Sequence, residues 1–291
     1  MPPKKLLILY KKSAYKIYFL ERKSSLFKKE HLFPSREIND FKRAHHKHYQ
    51  SLEIVEKILH KYNIHYQKRA RGSKIDFDQY DMVITVGGDG TFLEAARGLR
   101  SQIILGVNSD PQNSVGRFCT AVVENFAGVL KRLLNDQVTI KNFARIHLQV
   151  HANGNRHDIN VLNDILICHR NPAAMSRYFL SVEGMKEEQR SSGIWISTAA
   201  GSSGAIYSAG GKLLAQESKK IQYKPRELYR GREQNYRLLG QAGTLKQPIV
   251  VTSLMRNGMI FIDGAHLRFP FNFGSRLSVS HSRYPLKVVL D

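Results

Sequence analysis

Residues Met82 to Leu99, MVITVGGDGTFLEAARGL, combine residue types that handle phosphate. A short apolar run (Met82, Val83, Ile84, Val86) stops at Gly87-Gly88-Asp89-Gly90-Thr91. Phe92, Leu93, Ala95, Ala96 and Leu99 then fall on one side of a helix. Strand, glycine turn and helix together offer backbone N–H groups and a helix N-terminus to an anion. Glycine suits the turn because a Cβ would block close approach and forbid φ > 0. Asp89 stands out, since phosphate repels a carboxylate. Two jobs suit it: orienting Mg2+, or taking the proton from a hydroxyl that attacks phosphorus. A plainer reading has its side chain capping the helix.

Two later stretches carry chemistry of a related kind. In Leu162 to Ile167, LNDILI, Asn163-Asp164 interrupts an apolar strand. Buried polar groups must be paired, within the protein or by a ligand. An amide beside a carboxylate suits an adenosine, whose ribose hydroxyls and exocyclic amine donate to the carboxylate. In Ser191 to Gly211, SSGIWISTAAGSSGAIYSAGG, a strand ends at Ser197-Thr198 and small, hydroxylated residues lead into a helix start. That entry again supplies N–H groups and hydroxyls to a phosphate or ribose. His45, His46 and His48 suggest metal at first sight, but their spacing shares no face with a carboxylate, so they read as surface. Cys119 and Cys168 have no metal spacing, and no metal site is expected.

The elements around these motifs follow from periodicity. Residues 4–10, 64–66, 82–86 and 103–107 read as strands, the last ending in Asn108. Residues 15–20 read as a loop. Ser35 is placed to cap a long helix through Tyr62, and Asn125 to Leu134 reads as another helix. Strands alternating with helices imply a parallel sheet with helices on its faces, and ligands bind such sheets beyond the carboxyl ends of the strands. From about Phe143 the pattern changes to alternating strands: 146–150, 161–167, 178–182, 193–197, 249–254, 259–262 and 277–279. Asn257-Gly258 signals a hairpin, and one helix is expected within Ser202 to Gln216. The expected division is an α/β domain over 1–140, with the glycine turn, and a β-rich domain over 141–291.

Composition bounds the rest. The 291 residues suffice for two modest domains, and 42% hydrophobic with 10% aromatic residues is ordinary for a soluble protein. No apolar run approaches the roughly 20 residues of a membrane span. LLILY near the N-terminus is too short for a signal-peptide core, so the expected setting is cytoplasmic. A formal charge of +21 implies attraction to polyanions. No nucleic-acid recognition signature accompanies it, so no specific nucleic-acid partner is expected. Lys4, Lys5, Lys11, Lys12, Lys16, Lys23, Lys28 and Lys29 crowd one end. Lys219, Lys220, Lys224, Arg226, Arg230 and Arg232 form a second cluster. Both read as solvated surface.

Together the three motifs resemble the NAD kinase family, over about residues 82–268. That family has GGDGT after a strand, an Asn-Glu pair on a later strand, and a Ser-Thr-Pro-Thr-Gly-Ser-Thr-Ala-Tyr stretch leading to Ser-Ala-Gly-Gly. Here these are Gly87 to Thr91, Asn163-Asp164, and Ser197 to Gly211. Gly106 to Cys119, GVNSDPQNSVGRFC, and Ser191-Ser192-Gly193 resemble its mitochondrial-type branch. Asp263-Gly264 matches a family Asp-Gly turn.

The resemblance implies an N-terminal parallel-sheet α/β domain and a C-terminal β-rich domain, with the active site in the cleft between them. It implies transfer of the γ-phosphate of ATP to the adenosine ribose 2′-hydroxyl of NAD, with Mg2+ bridging the ATP phosphates. Asp89 would help the hydroxyl attack. Gly87, Gly88, Gly90 and Thr91 would hold phosphates, and Asn108 joins the binding set. Asn163 and Asp164 would hold NAD, with Thr198, Ser203 and Ser208 lining the dinucleotide site. A homodimer or higher homo-oligomer is expected. The chain departs from the family at Asp164 for Glu, Ala199 and Ala200 for Pro and Thr, Ala205 for a base-stacking Tyr, and Arg117 where Phe is common. Tyr207 is one ring placed to substitute for the missing Tyr.

Two other readings compete. Diacylglycerol and sphingoid-base kinases share GGDGT, and a basic surface suits a lipid interface; their motif continues with Asn-Glu, where this chain has Phe92-Leu93-Glu94. An inactive nucleotide-binding protein of the same fold would explain the altered positions, but gains nothing from Asp89.

Overall fold

The computed structural model describes residue 3 and residues 5–21, 34–152, 154–231 and 235–290. Lys4, Lys23, Lys28, Lys29 and Arg232 of the basic clusters lie outside the described residues. In chain order the first elements are β1 (Leu6–Tyr10), α1 (Ser35–Lys61), β2 (Tyr66–Ala70), β3 (Met82–Gly87), α2 (Asp89–Gly98), β4 (Ile103–Asn108), β5 (Ala121–Val122), α3 (Val123–Leu134) and β6 (Thr139–Phe143). The strand-rich part follows as β7 (Ile146–Ala152), β8 (Asn155–Val161), β9 (Asp164–His169), β10 (Ser176–Val182), β11 (Met185–Ser191) and β12 (Gly193–Thr198). It continues with α4 (Ala205–Ser208), β13 (Ile221–Arg226), β14 (Gln241–Gly243), β15 (Ile249–Ser253), β16 (Gly258–Ile262), β17 (Leu267–Pro270), β18 (Arg276–His281) and β19 (Leu286–Leu290).

The chain divides into two compact units, Met1–Lys141 with Lys287–Asp291, and Asn142–Leu286. In the first, the strand order is β2-β1-β3-β4-β19-β6, with β5 beside β4. β1, β2, β3, β4 and β19 run parallel. All six residues of β3 are buried, as a central parallel strand covered on both faces requires. Leu52, Val55 and Leu59 of α1 and Phe126, Val129, Leu130 and Leu133 of α3 pack against the sheet at helical spacing. The C-terminal strand thus belongs to the first unit's sheet rather than to the β-rich part.

The second unit holds two six-stranded antiparallel sheets, β11-β10-β15-β18-β7-β8 and β14-β13-β12-β9-β16-β17. Every second residue turns inward: Tyr178 and Leu180 from one sheet meet Ile165, Ile167, Ile194 and Ile196 from the other in a shared core. The alternation visible in the sequence is this two-faced burial.

Several expected elements differ. α1 starts at Ser35, but Pro34 is its N-cap and no side chain caps it. Residues 15–20 are not a plain loop, since Lys16–Glu21 forms a π-helical turn. The second strand begins at Tyr66, where the 64–66 reading had ended. The 161–167 strand is two strands, broken at Leu162-Asn163 where Asp263 takes the backbone N–H groups. Asn257-Gly258 is not a hairpin turn, because β15 pairs with β10 and β18 while β16 pairs with β9 and β17; the turn carries the chain from one sheet to the other. The helix in 202–216 shrinks to α4, four residues long. Ser and Gly favour caps and turns over helix interiors, and Ser202 binds the backbone of Leu214 instead. His48, read as surface, is fully buried.

Candidate functional site

In the first unit the pairing of β3 with β4 sets Gly87 opposite Asn108. Both lie where the strands end at the carboxyl edge of the sheet, the place where parallel sheets receive ligands. α2 begins at Asp89 with Gly88 as N-cap and no side-chain cap bond. The Asp89 carboxylate instead accepts from the backbone N–H of Phe118 at 2.8 Å. That bond fixes the carboxylate's direction from a segment 29 residues away in sequence.

The loop carrying Phe118 is itself braced. The Phe118 ring stacks on Phe92, centroids 5.4 Å apart. Asn108 donates from Nδ2 to Ser114 O at 2.9 Å and accepts at Oδ1 from the Asp110 N–H at 3.1 Å. Gly116 has φ of +58°, and a Cβ there would overlap Asn108 Nδ2, so only glycine fits. Below the loop, His48 Nδ1 pairs with Ser109 Oγ at 2.9 Å and Nε2 with Lys11 O at 2.7 Å. Burial, and then the Lys11 charge, push His48 down to about 4, so the ring is neutral at pH 7. Nε2 faces a carbonyl and carries the hydrogen; Nδ1 accepts from Ser109.

Positive φ is not what calls for glycine at this turn. None of Gly87, Gly88 and Gly90 has positive φ. Their Cβ positions are taken by hydrogen-bonding groups of the protein itself. A Cβ on Gly87 would overlap Thr91 Oγ1, one on Gly88 would lie 2.5 Å from Ser114 Oγ, and one on Gly90 would lie 3.2 Å from Arg71 Nη1. Thr91 is 1% exposed and its Oγ1 has no partner among the described residues.

In the second unit, β12, β9 and β16 lie side by side and end together. Asp164 stands opposite Ser197, Thr198 N–H donates to Asn163 O at 3.1 Å, and Asp263 N–H donates to Asp164 O at 2.9 Å. The second and third sequence motifs and the Asp263-Gly264 turn thus form one cluster. Asp263, at φ +48°, accepts from the Asn163 N–H at 2.7 Å and the Leu162 N–H at 3.4 Å. Asn163 Nδ2 donates to Asp164 Oδ2 at 3.0 Å. The Thr198 hydroxyl donates to Leu162 O and accepts from Gly201 N–H. Burial, then the charge of Asp263, push the Asp164 carboxyl up to about 7. Arg145, fully buried, donates from Nε to Tyr284 O at 2.7 Å; burial lowers it to about 10 against the opposing pull of Asp263. Ser203 is half-buried, and Ser208 and Tyr207 are exposed on α4. α4 is only four residues long, and the side chains of Thr198 and Ser202 bond the turns on either side of it.

Each unit therefore gathers the expected residues it contains: Gly87, Gly88, Asp89, Gly90, Thr91 and Asn108 in the first, Asn163, Asp164 and Thr198 in the second. Sequence reasoning missed Phe118, Arg71 and Glu94. Phe118 acts through its backbone, which no side-chain pattern signals.

Comparison with known proteins points the same way. A family described as "ATP-NAD kinase N-terminal domain" matches residues 16–138. A "Probable NADH kinase" of Oryza sativa is 31% identical over 266 residues, covering 84% of this chain and 81% of that protein. An "NADH kinase" of Arabidopsis thaliana is 30% identical, covering 84% of each. Among solved structures, an NAD kinase from Archaeoglobus fulgidus in complex with ATP aligns with TM-score 0.68 at 20% identity, covering 98% of this chain and 92% of that one. Yeast NADH kinase complexed with NADH aligns with TM-score 0.72 at 14% identity, covering 100% and 84%. The two structures share the two-domain fold.

Proposed function

The chain belongs to the NAD kinase family, and from that premise we propose that it transfers the γ-phosphate of ATP to the 2′-hydroxyl of the adenosine ribose of NAD or NADH. The observation that carries this reading is Asp89, a carboxylate at a glycine turn, aimed by the Phe118 N–H rather than spent on a helix cap. In this reading Asp89 orients the 2′-hydroxyl and takes its proton as the phosphorus is attacked. The N–H groups at the start of α2 receive donor phosphate, with Gly87, Gly88, Gly90 and Thr91 forming the turn and Asn108 bracing the loop beside it. Asn163, Asp164 and Thr198 frame the dinucleotide, and Ser203 and Ser208 flank it. Ala205 leaves no ring at the family's stacking position, and the exposed Tyr207 two residues on supplies one.

Among the described residues no three His, Cys, Asp or Glu side chains gather to hold a metal. Magnesium enters in this account as Mg-ATP, neutralising phosphate charge. No described helix is long and apolar enough to cross a membrane. A cytoplasmic setting and a homodimer complete the proposal. Relatives named for NADH and NAD alike support an acceptor site that reads the adenosine end, common to both.

The test is a coupled assay with purified protein, Mg-ATP, and NAD or NADH, the product read by an NADP-specific dehydrogenase. Formation of NADP or NADPH is expected. Phosphate transfer to diacylglycerol or a sphingoid base without either product would replace this reading with the lipid-kinase one.

A further inference from the structure

Arg71 follows β2 in a loop whose backbone meets β1, with its N–H donating to Tyr10 O at 2.9 Å. Its Nε donates to Glu94 Oε2 at 2.9 Å, and the next N–H, of Gly72, donates to Glu94 Oε1 at 2.6 Å. Glu94 lies on α2, one turn beyond Gly90. One carboxylate therefore locks both the guanidinium and the loop onto the helix. The lock uses only Nε. The Nη groups come to rest over the bare face of Gly90, 3.2 Å from where its Cβ would stand, and no acceptor among the described residues takes their hydrogens. The Arg71 side chain is 22% exposed, so these donors are open to solvent or to a ligand.

Two hydroxyls face the same turn. The Ser114 hydroxyl occupies the matching position over Gly88, 2.5 Å from its Cβ position. The Thr91 hydroxyl beneath Gly87 is buried without a partner among the described residues. Each glycine of the turn is thus faced by a hydrogen-bonding side chain: Thr91, Ser114 and Arg71. Lys11, from the end of β1, adds a second positive charge that feels Arg71 and is offset by Asp110.

We propose that Arg71 is a ligand of the donor's terminal phosphates, pre-set by Glu94 over Gly90, with the Ser114 hydroxyl beside it. The inference rests on the phosphotransferase reading of the glycine turn. A guanidinium with a free edge matches phosphate oxygens two at a time, which a lysine ammonium does not. Glu94 is the positioning residue: it touches no phosphate, and it removes the rotamer freedom that Arg71 would otherwise lose on binding.

The test combines titration with a non-hydrolysable ATP analogue and steady-state kinetics, for wild type, Arg71→Gln, Arg71→Lys and Glu94→Gln, each with a thermal melt. Arg71→Gln is expected to raise the analogue Kd and the KM for ATP roughly 10–100-fold, the share of charge-assisted hydrogen bonds. The KM for the dinucleotide stays within about twofold, because binding of the acceptor does not use this charge. Arg71→Lys recovers part of the loss, and Glu94→Gln raises the same KM by a smaller factor with the guanidinium still present. An unchanged analogue Kd in Arg71→Gln, or equal rises in both KM values, overturns the inference. A wild type that makes no NADP(H) but loses analogue binding on Arg71→Gln overturns the acceptor assignment and leaves Arg71 in place. A wild type that binds no analogue overturns both.

Discussion

The glycine turn of the first unit and the strand ends of the second use polar groups in opposite ways. At the turn, Arg71 Nη and the hydroxyls of Thr91 and Ser114 face three glycines without partners among the described residues. At the ends of β9, β12 and β16, the polar groups of Asn163, Asp164, Asp263 and Thr198 are bonded to one another. An unpaired buried donor costs about 1–3 kcal/mol; of the three the Thr91 hydroxyl is the buried one, while Arg71 and Ser114 keep partial exposure and are open to a ligand. The paired cluster teaches the converse: its geometry is fixed before any ligand arrives, and recognition there depends on shape as much as on open valences. The glycine turn keeps open donors, and the strand-end cluster has its backbone groups bonded.

Glycine substitutions break this comparison most sharply. A Cβ on Gly201 would overlap the backbone carbonyl of Asn163, which cannot move without breaking the pairing of β9 with β12. Gly201→Ala is expected to cost about 3 kcal/mol or more in denaturant unfolding. A cost under about 1 kcal/mol would show that the paired cluster is softer than its bonds suggest.

The two regions should also answer pH in opposite senses over one window. His48 in the first unit is held near 4, below its ordinary 6.5, so its contribution is present above 6.5 and lost as pH falls toward 4. Asp164 in the second unit is held near 7, above 3.8, so its folded form keeps a proton that the unfolded chain releases. Its contribution is present at low pH and is lost as pH rises from about 4 to about 7. Each amounts to about 3–4 kcal/mol across its window. Asp164→Asn should make the protein lose more stability on acidification from pH 6.5 to 4 than wild type does, and His48→Asn should make it lose less. Melting curves at stepped pH decide this; parallel slopes in all three proteins would remove both assignments.

The smallest effect sharpens the contrast from the other side. A Cβ on Gly88 meets only the Ser114 hydroxyl, which can rotate away. Gly88→Ala should cost under about 1 kcal/mol, and the double substitution with Ser114→Ala should cost less still. A large cost surviving the double substitution would mean that the glycine serves the backbone after all.

Much of this was legible in the chain. β3 and its turn announce themselves because a fully buried parallel strand is continuously apolar and stops at glycine, and the alternating strands of the second half show which face is covered. The resemblance to NAD kinases rested on that turn together with Asn163-Asp164 and Ser197 to Gly211. What escaped reading depends on partners distant in sequence. His48 looked like surface because the three histidines share no face with a carboxylate, yet it is buried through Ser109 and Lys11. Arg71 and Glu94 are charged residues of ordinary surface type until the fold brings β2 and α2 together. The Gly201 to Gly211 stretch looked like a helix entry because serines and glycines open helices, but they also close turns, and here the side chains of Ser202 and Thr198 take up the backbone groups.

The central claim is that Asp89, aimed by the Phe118 N–H, activates the attacking hydroxyl. A single-turnover reaction with γ-labelled ATP and NAD or NADH, run with wild type and Asp89→Asn, tests it most directly. Asparagine keeps an oxygen to accept from Phe118, so the loop should hold, the melting temperature should stay put and ATP should still bind. The account predicts label on the dinucleotide in wild type and transfer slowed roughly 10²–10⁴-fold in the variant. Transfer at the wild-type rate in Asp89→Asn would contradict it.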